Sequence, residues 1–344
     1  MNILRHLKRR AKRCWLRYRP HALILMYHRV VEREPDPQLL AVSPQHFAEQ
    51  LHIIRARYHP ISLTELVHAM SARHIPQRAV VVTFDDGYAD NLHNAKSLLE
   101  KNQIPATIFV TAGLIGQPQE LWWDELERLL LQPGRLPKEL SLIIQGQHYV
   151  RKLDSFQEYH DVDNQKYRHW NVLMAGEPTL RHAMYREMYA RLRPLLPAAR
   201  QAILREFASQ IGKDQNEQDN NRVMTAAELR QLSDGEMIDV GAHTMTHPVL
   251  SNIALSEQTV EIQQSKAYLE TLLGKTVAHF SYPYGGRDDY TPETLDIVRQ
   301  SGFISACSTL NDAVWPRTDR FQLPRLVVRN WSGAEFARQL AEWF

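Results

Sequence analysis

The feature that most constrains the fold is an apolar, β-branched run, Ala79–Phe84, that ends directly in Asp85-Asp86-Gly87. Such a Val-rich run favours a strand that is buried on both faces, as in parallel sheets. Sheets and barrels of this class place their functional side chains at the carboxyl ends of the strands. Because ionised carboxylates near a core need a positive charge beside them, the sequence predicts a metal ion or a cationic side chain close to Asp85 and Asp86.

Strand and helix patterns alternate with short links on both sides of this run, which predicts a parallel α/β sheet. Strands are predicted at 22–27, 79–84, 105–110, 237–241, 277–282, 303–307 and 323–328. A helix is predicted at 90–100, a capping box at Thr225–Glu228 opens another helix, and Gly274 is predicted to end the helix at about 256–273. The alternation stops between about 114 and 222, where helical patterns surround a predicted hairpin at 140–150 that turns at Gly146. We interpret 114–222 as a mainly helical insertion in a single domain that covers residues 21–344.

Charge is distributed unevenly along the 344 residues. Residues 1–20 contain eight Lys or Arg and no acidic residue, so the other 324 residues hold 33 basic and 39 acidic residues, a formal charge of −6. This balance argues against nucleic-acid binding by the body of the protein. The basic leader, residues 1–20, is interpreted either as a solvated tail or as a peripheral anchor on anionic lipid.

The expected location is the cytoplasm, with contact at the inner membrane face if the leader binds lipid. No apolar stretch of signal-peptide type follows the leader, and no run approaches the roughly 18 apolar residues of a membrane-spanning helix. Two cysteines, Cys14 and Cys307, form no disulfide framework and are typical of a reducing compartment.

Two histidines follow the strand predicted at 237–241, in the sequence His243-Thr244-Met245-Thr246-His247-Pro248. One carboxylate and two imidazoles form a three-ligand set that suits zinc and leaves a fourth position open, as catalytic sites do. The alternative is a pair of surface histidines and an aspartate that is satisfied by other contacts. The diacid at the end of another strand favours the metal site.

These motifs resemble those of a known family. Thr83–Gly87 and His243–Pro248 are similar to the first two motifs of the polysaccharide deacetylases, also called the NodB-homology family or carbohydrate esterase family four, and Phe280–Gly285 is similar to the third. The resemblance covers residues 22–113 and 225–330. It implies a distorted (β/α) barrel of about seven parallel strands, with a divalent metal ion, most often zinc, at the carboxyl ends of the strands.

The resemblance also implies roles for individual residues. It assigns Asp86, His243 and His247 as metal ligands and Asp85 as the general base. It assigns the backbone N–H of Tyr284 as a donor to the oxyanion that forms when the amide carbonyl is attacked.

The chain departs from the family pattern at two positions. Ser281 stands where the third motif commonly starts with an arginine, and no histidine follows His279 to act as the late general acid. We expect Arg325, at a strand end, to replace the arginine, the alternative being a surface salt bridge. We expect His28, also at a strand end, to be the acid, because an ordinary pKa of about 6.5 suits proton donation; the alternative is a structural hydrogen bond.

The predicted function is metal-dependent removal of an N-acetyl group from an amino sugar in a polysaccharide or a lipid-linked glycan precursor. Two alternatives stay open: hydrolysis of a non-sugar amide or N-formyl group, and non-catalytic carbohydrate binding. Trp122 and Trp123 include a candidate sugar-stacking surface, with Trp123 the residue chosen for substrate contact. The alternative for both is core packing, which is the commoner place for tryptophan.

Overall fold

The computed structural model describes residues 20–118, 120–153, 157–212 and 221–344. The predicted leader therefore lies outside the described residues, apart from Pro20. Its proposed lipid contact is not tested by the fold. Within the described ranges, no helix is both long enough and apolar enough to cross a bilayer.

The core is one curled parallel sheet, with strands in the spatial order β13-β12-β11-β6-β5-β1-β14. These strands are β1 (Ala22–Tyr27), β5 (Ala79–Phe84), β6 (Ala106–Val110), β11 (Ile238–Ala242), β12 (His279–Ser281), β13 (Ser305–Cys307) and β14 (Leu326–Val327). Every neighbouring pair is parallel. The sheet confirms the expected (β/α) barrel architecture, because helices connect the strands and its two edges approach each other.

The two edges are joined by one short segment. Leu323 forms a parallel bridge with Cys307 of β13, and three residues later Leu326 pairs with Leu25 of β1. Pro324 lies between them and has no N–H to donate to a ladder. For this reason the strand predicted at 323–328 is interrupted, and only Leu326–Val327 is a regular strand.

Seven further strands of the described residues lie outside the curled sheet or at its border. They are β2 (Arg29–Val30), β3 (Ala41–Val42), β4 (His59–Pro60), β7 (Gly134–Arg135), β8 (Glu139–Ile144), β9 (Gln147–Lys152) and β10 (Glu158–Tyr159). β4 pairs with the start of β5, whereas β2–β3, β7–β10 and β8–β9 form separate two-stranded sheets. β8 and β9 are the hairpin predicted around Gly146, which has the positive φ that its turn requires.

The helices are numbered in chain order. They are α1 (Pro44–Arg57), α2 (Leu63–Ser71), α3 (Ser97–Asn102), α4 (Trp122–Leu131), α5 (Asp161–Tyr167), α6 (Leu180–Leu192), α7 (Pro197–Gln210), α8 (Ala226–Leu232), α9 (Leu255–Leu273), α10 (Pro292–Gln300) and α11 (Gly333–Leu340). Between β6 and β11 the chain is mainly helical, as predicted for the insertion. The exact boundaries of the insertion, 114–222, stay a prediction.

Helix ends follow local sequence signals. Ser43 accepts a hydrogen bond from the His46 N–H and caps α1, with Pro44 at the first helical position. Thr225 and Glu228 form the predicted capping box of α8. The helix expected at 90–100 differs, because residues 91–96 form a π-helix before α3 begins.

Candidate active site

Asp85 and Asp86 lie at the carboxyl end of β5, where the sequence predicted them, and both are buried, with 3% and 2% exposure. The turn after them requires Gly87, whose φ is +79° and whose added Cβ would lie 2.8 Å from Val110 Cγ1. Asp86 itself adopts a left-handed φ of 73°. The strand end therefore turns sharply and separates the directions of the two adjacent carboxylates.

Arg325 donates to Asp85 through both terminal nitrogens of its guanidinium, at 2.7 Å each. The same guanidinium donates to Ser281 Oγ at 2.9 Å and to the Ser308 carbonyl at 2.9 Å. Arg325 is fully buried, so its interpretation as a surface salt bridge is wrong. The arginine missing from the third motif is thus replaced in space by one from the segment that joins the sheet edges.

The Arg325 pair determines the protonation state of Asp85. Burial by itself would raise the pKa of the Asp85 carboxyl, but the positive charge and hydrogen bonds of Arg325 outweigh burial and hold the pKa at about 2. Asp85 is therefore ionised throughout the neutral range. A carboxylate that is charged and fixed in orientation is suited to accept a proton from a nearby water.

Asp86, His243 and His247 form a second cluster beside this pair. The Nε2 atoms of His243 and His247 lie 3.6 and 3.4 Å from Asp86 Oδ1, and one ligand atom of each residue lies within 4.8 Å of the others. His243 Nδ1 lies 2.7 Å from the Ser281 carbonyl, to which it donates. That hydrogen bond leaves the lone pair of His243 Nε2 free to bind a metal ion.

The protonation states of the cluster fit a divalent cation. Burial, followed by the Asp85 charge, raises the pKa of Asp86 well above its usual range. Burial lowers the pKa of both His243 and His247, which favours the neutral imidazole that ligates metals. Among the described residues no Lys or Arg pairs with Asp86, and His247 Nδ1 is buried without a hydrogen-bond partner. A buried carboxylate that lacks a cation, beside two neutral imidazoles, is a donor set that could hold a divalent metal ion.

The backbone around the cluster is unusually constrained. Asp86, Thr244, His247 and Tyr284 all have positive φ, from 56° to 73°, although none is glycine. Each such residue costs of the order of 1–3 kcal/mol and persists only where the surrounding structure holds it. Their concentration at one end of the sheet is typical of a functional site.

One pocket is lined by most of the predicted site residues. Its wall includes His28, Trp123 and Tyr284 together with the two aspartates and the two histidines. Arg325 lies behind this wall and contacts it through Asp85. The structure therefore brings all the predicted site residues together, while their individual roles stay predictions.

His28 has a different environment from the one that the sequence argument assumed. Burial lowers the pKa of His28 to about 4, and the opposing effect of the Asp85 charge is smaller. His28 is therefore neutral near pH 7 in this structure, rather than half-protonated near its ordinary value. It could serve as a proton donor only after taking up a proton during the reaction.

The two tryptophans are buried on α4 and differ in their contacts. Trp123 lines the pocket, lies edge-on to the His247 ring at 5.0 Å and donates to Tyr88 Oη at 2.8 Å. Trp122 donates instead to Tyr284 Oη at 3.1 Å. Both are packed, as their alternative reading held, and the predicted sugar contact of Trp123 rests on its place in the pocket wall.

Four residues of the pocket wall, Leu40 and Thr309 among them, were not predicted from the sequence. Tyr189 of α6 and Gln38, which follows β2, both line the pocket. The Gln38 amide donates to Tyr185 of α6 at 2.9 Å, which fixes its orientation. Neither Gln38 nor Tyr189 belongs to a motif. The apolar periodicity of α6 predicts a helix that includes Tyr189, but it does not predict which face of that helix contacts the pocket.

The fold and the site define a class: a curled parallel barrel with an Asp-His-His cluster and an arginine-paired aspartate at the strand carboxyl ends. A family model described as polysaccharide deacetylase matches residues 72–136 and 207–304, together just under half of the chain. This match confirms the resemblance seen in the motifs.

Individual relatives agree with this assignment. The Bacillus subtilis protein YxkH, which carries the same family description, is 36% identical over 53 residues, or 15% of this chain and 19% of that protein. The matched stretch thus spans about a fifth of that relative.

Solved structures share the fold at low identity. The Streptococcus pyogenes deacetylase PplD, solved with acetate, has a TM-score of 0.58 at 18% identity, covering 93% of this chain and 98% of its own. IcaB from Ammonifex degensii has a TM-score of 0.58 at 19% identity, covering 94% and 97%. A de-N-acetylase from Aggregatibacter actinomycetemcomitans has a TM-score of 0.56 at 14% identity, covering 93% and 99%.

Proposed function

We propose that the protein is a metal-dependent hydrolase that removes the N-acetyl group from an amino sugar in a polysaccharide or a lipid-linked glycan precursor. The observation that carries this proposal is the juxtaposition of two differently charged carboxylates in one pocket. Asp85 is ionised and fixed by Arg325, whereas Asp86 lacks a cation and faces His243 and His247. One carboxylate is thus arranged for proton transfer and the other for holding a metal ion.

Asp86, His243 and His247 would hold the metal ion, most often zinc in such a donor set. When bound there, a divalent cation supplies Lewis acidity toward an amide carbonyl and a water molecule. The nearby Asp85 carboxylate accepts the proton of the attacking water. The two hydrogen bonds that it accepts from Arg325 hold the carboxylate plane. Oδ2 also accepts from Ser281 Oγ at 3.4 Å, whereas Oδ1 keeps a second lone pair for the proton.

Two further residues complete the proposed chemistry. The backbone N–H of Tyr284 stabilises the negative charge that develops on the carbonyl oxygen. His28 lines the same pocket, takes up the proton that Asp85 has accepted from the attacking water, and donates it to the leaving amine. Because burial lowers the pKa of His28 to about 4, a proton that it receives is readily released to an amine.

The residues of the pocket wall favour an acetylated glycan over a small free amide. Trp123, Tyr189 and Tyr284 all line the pocket, and aromatic rings suit contact with pyranose rings. The choice between a polysaccharide and a lipid-linked precursor rests on the basic leader, which lies outside the described residues.

The experiment has two stages. The full chain is stripped with a chelator, reloaded with zinc, and its metal content is counted, with one zinc ion per chain as the expected result. The loaded protein is then incubated with oligosaccharides of N-acetylglucosamine or N-acetylgalactosamine, and release of acetate, formate and ammonia is measured.

The matched control is His247→Ala, which removes one ligand at the edge of the pocket. We expect this variant to lose both stoichiometric zinc and acetate release. Formate or ammonia release without acetate would overturn the N-acetyl assignment in favour of another amide. Stoichiometric zinc with no release of any product would indicate a carbohydrate-binding protein.

A further inference from the structure

The hydroxyl of Tyr284 is held by two donors that come from outside the family motifs. Trp122 Nε1, at the start of α4, donates to Tyr284 Oη at 3.1 Å, and Arg200 of α7 donates to the same oxygen at 3.0 Å. Both donors belong to the region between β6 and β11. Two lone pairs of one phenol oxygen are therefore occupied by the insertion, and no other motif residue in the described chain is held in this way.

Arg200 is an unusual residue for this position. It is only 2% exposed, yet no Asp or Glu of the described residues lies within salt-bridge distance of it. Its contacts are instead neutral: Tyr284 Oη, the His247 carbonyl at 3.5 Å, and the face of Trp122 at 4.9 Å. A buried guanidinium without a carboxylate is costly, and such a cost is maintained where the group has a task.

The other buried arginines of the described residues fall into two groups. Arg181 also lacks a carboxylate partner there and donates to the backbone carbonyls of Leu130, Gly134 and Gln157, whereas the rest pair with a carboxylate. Arg325 faces Asp85 at 2.7 Å, and Arg29 faces Asp90 at 2.9 Å. Both of these arginines therefore satisfy a neighbouring carboxylate. Arg200 satisfies a tyrosine hydroxyl and a backbone carbonyl that belong to the second and third motifs.

The backbone of Tyr284 is held from the opposite side. Its φ is 60°, and its carbonyl accepts a hydrogen bond from Thr309 Oγ1 at 2.7 Å. The ring lies 4.7 Å from the His247 ring and under the Arg193 guanidinium at 4.3 Å. A residue with a strained backbone that is fixed at its carbonyl and at its hydroxyl has little freedom to rotate, so its N–H direction is fixed as well.

We propose that Arg200 is a positioning residue for the reaction: it holds Tyr284 through the phenol oxygen, and thereby fixes the backbone N–H that binds the oxyanion. The proposal rests on the proposed function, because it assigns Arg200 to the oxyanion donor of that reaction. In this proposal the insertion contributes a residue that orients the active site, and does not only lie over it. Trp122 assists by donating to the same oxygen.

This role predicts a specific pattern of kinetic coupling. If Arg200 acts through the Tyr284 phenol oxygen, replacing either side chain removes the same hydrogen bond. The double variant should then lose no more catalytic rate than either single variant. A small displacement of an oxyanion donor weakens binding of the transition state more than binding of the substrate, so kcat should fall while KM changes little.

The test compares the zinc-loaded full chain with Arg200→Gln, Tyr284→Phe and the double variant, using an N-acetylglucosamine oligosaccharide as the probe. We expect kcat to fall about tenfold in all three, with KM within about twofold of wild type. Arg205→Gln, an exposed arginine on the same helix, is the matched control and should keep wild-type kinetics. Zinc content and thermal unfolding identify variants that fail to fold.

A second measurement needs no turnover. Crystal structures of wild type and Arg200→Gln should show the Tyr284 hydroxyl displaced in the variant, while the backbone of α7 stays in place. Multiplied effects in the double variant, or an unmoved Tyr284 in the Arg200→Gln crystal, would overturn the proposal. A wild type that releases no acetate would instead defeat the proposed function, and the crystal comparison would still decide how Tyr284 is held.

Discussion

Replacing Arg325 by glutamine tests the electrostatic core of the site. The Arg325 side chain is fully buried and donates to Asp85, Ser281 Oγ and the Ser308 carbonyl. Glutamine keeps a polar side chain but leaves the Asp85 carboxylate buried without its cation. Removing one partner of a buried pair costs about 3–5 kcal/mol, because the other charge stays desolvated.

The magnitude can be checked against the pKa of Asp85. Burial would raise this pKa, and Arg325 instead holds it at about 2, compared with 3.8 for an ordinary aspartate. That difference alone corresponds to about 2 kcal/mol of stability. Since the folded pKa is lower than the unfolded one, this stability is present above pH 3.8 and is lost as the pH falls toward 2. The Arg325–Asp85 ion pair therefore stabilises the fold at neutral pH and no longer does so in acid.

The assay is denaturant unfolding of the metal-free protein, in which the charges of the described structure apply. We expect Arg325→Gln to lower the free energy of unfolding by about 3–5 kcal/mol at pH 7. The double variant Asp85→Asn/Arg325→Gln should recover a large part of this loss, because no charge is then left buried. The double variant also keeps the test decisive if the single variant does not fold.

A single-variant loss below about 1 kcal/mol, typical of exposed pairs, would refute the reasoning. The same conclusion would follow if the double variant were less stable than Arg325→Gln. Catalysis gives an independent readout: the single variant should bind zinc but lose turnover, because Asp85 is no longer oriented as a base.

Three further perturbations test the fold around the site. Burial lowers the pKa of His279 to about 4, so the free energy of unfolding should fall by about 3 kcal/mol as the pH falls from 6.5 to 4. His279→Gln should remove this pH dependence, and an unchanged pH dependence in the variant would contradict the burial argument. Gly241→Ala should destabilise the barrel by about 1–3 kcal/mol in denaturant unfolding, because the new Cβ would lie 2.4 Å from Phe109 Cδ1; a neutral effect would show that the ring moves freely. Thr225→Ala removes the cap that pairs with Glu228 and should cost about 1 kcal/mol, which an unchanged unfolding midpoint would exclude.

The sequence predicted best what depends on local pattern and burial. Two strands have the predicted bounds, Ala22–Tyr27 and Ala79–Phe84. A continuous apolar run that is buried on both faces has few possible structures other than a strand of a parallel sheet. The capping box at Thr225 and the αL glycine at Gly274 were also predicted, since each is set by one or two residues. The aspartates after β5 and the histidines after β11 are metal-ligating residue types at two strand ends. This pattern was enough to predict that their side chains lie close together.

Features that depend on tertiary contacts were not predictable. The π-helix at 91–96 begins where Asn91 donates to the His28 carbonyl and Asn94 to the Val30 carbonyl, contacts that local periodicity does not contain. The low pKa of His28 arises from burial by neighbours distant in sequence. Arg200 belongs to no motif, and only its contacts with Tyr284 and the His247 carbonyl in the folded chain suggested the role proposed for it.

The position of Arg325 connects the closure of the barrel to its chemistry. Leu323 pairs with β13 and Leu326 with β1, so the residue between the two sheet edges is the one whose guanidinium reaches Asp85. Its own N–H donates to the Leu310 carbonyl at 2.9 Å, which fixes the backbone there. A rigid, planar guanidinium needs such a fixed base to form two parallel hydrogen bonds. Because closure of the sheet places Arg325 against Asp85, the chain does not need an arginine at the start of the third motif. A mutation that breaks the pairing of Leu323 with Cys307 should therefore alter the environment of Asp85 and also lower the stability of the fold.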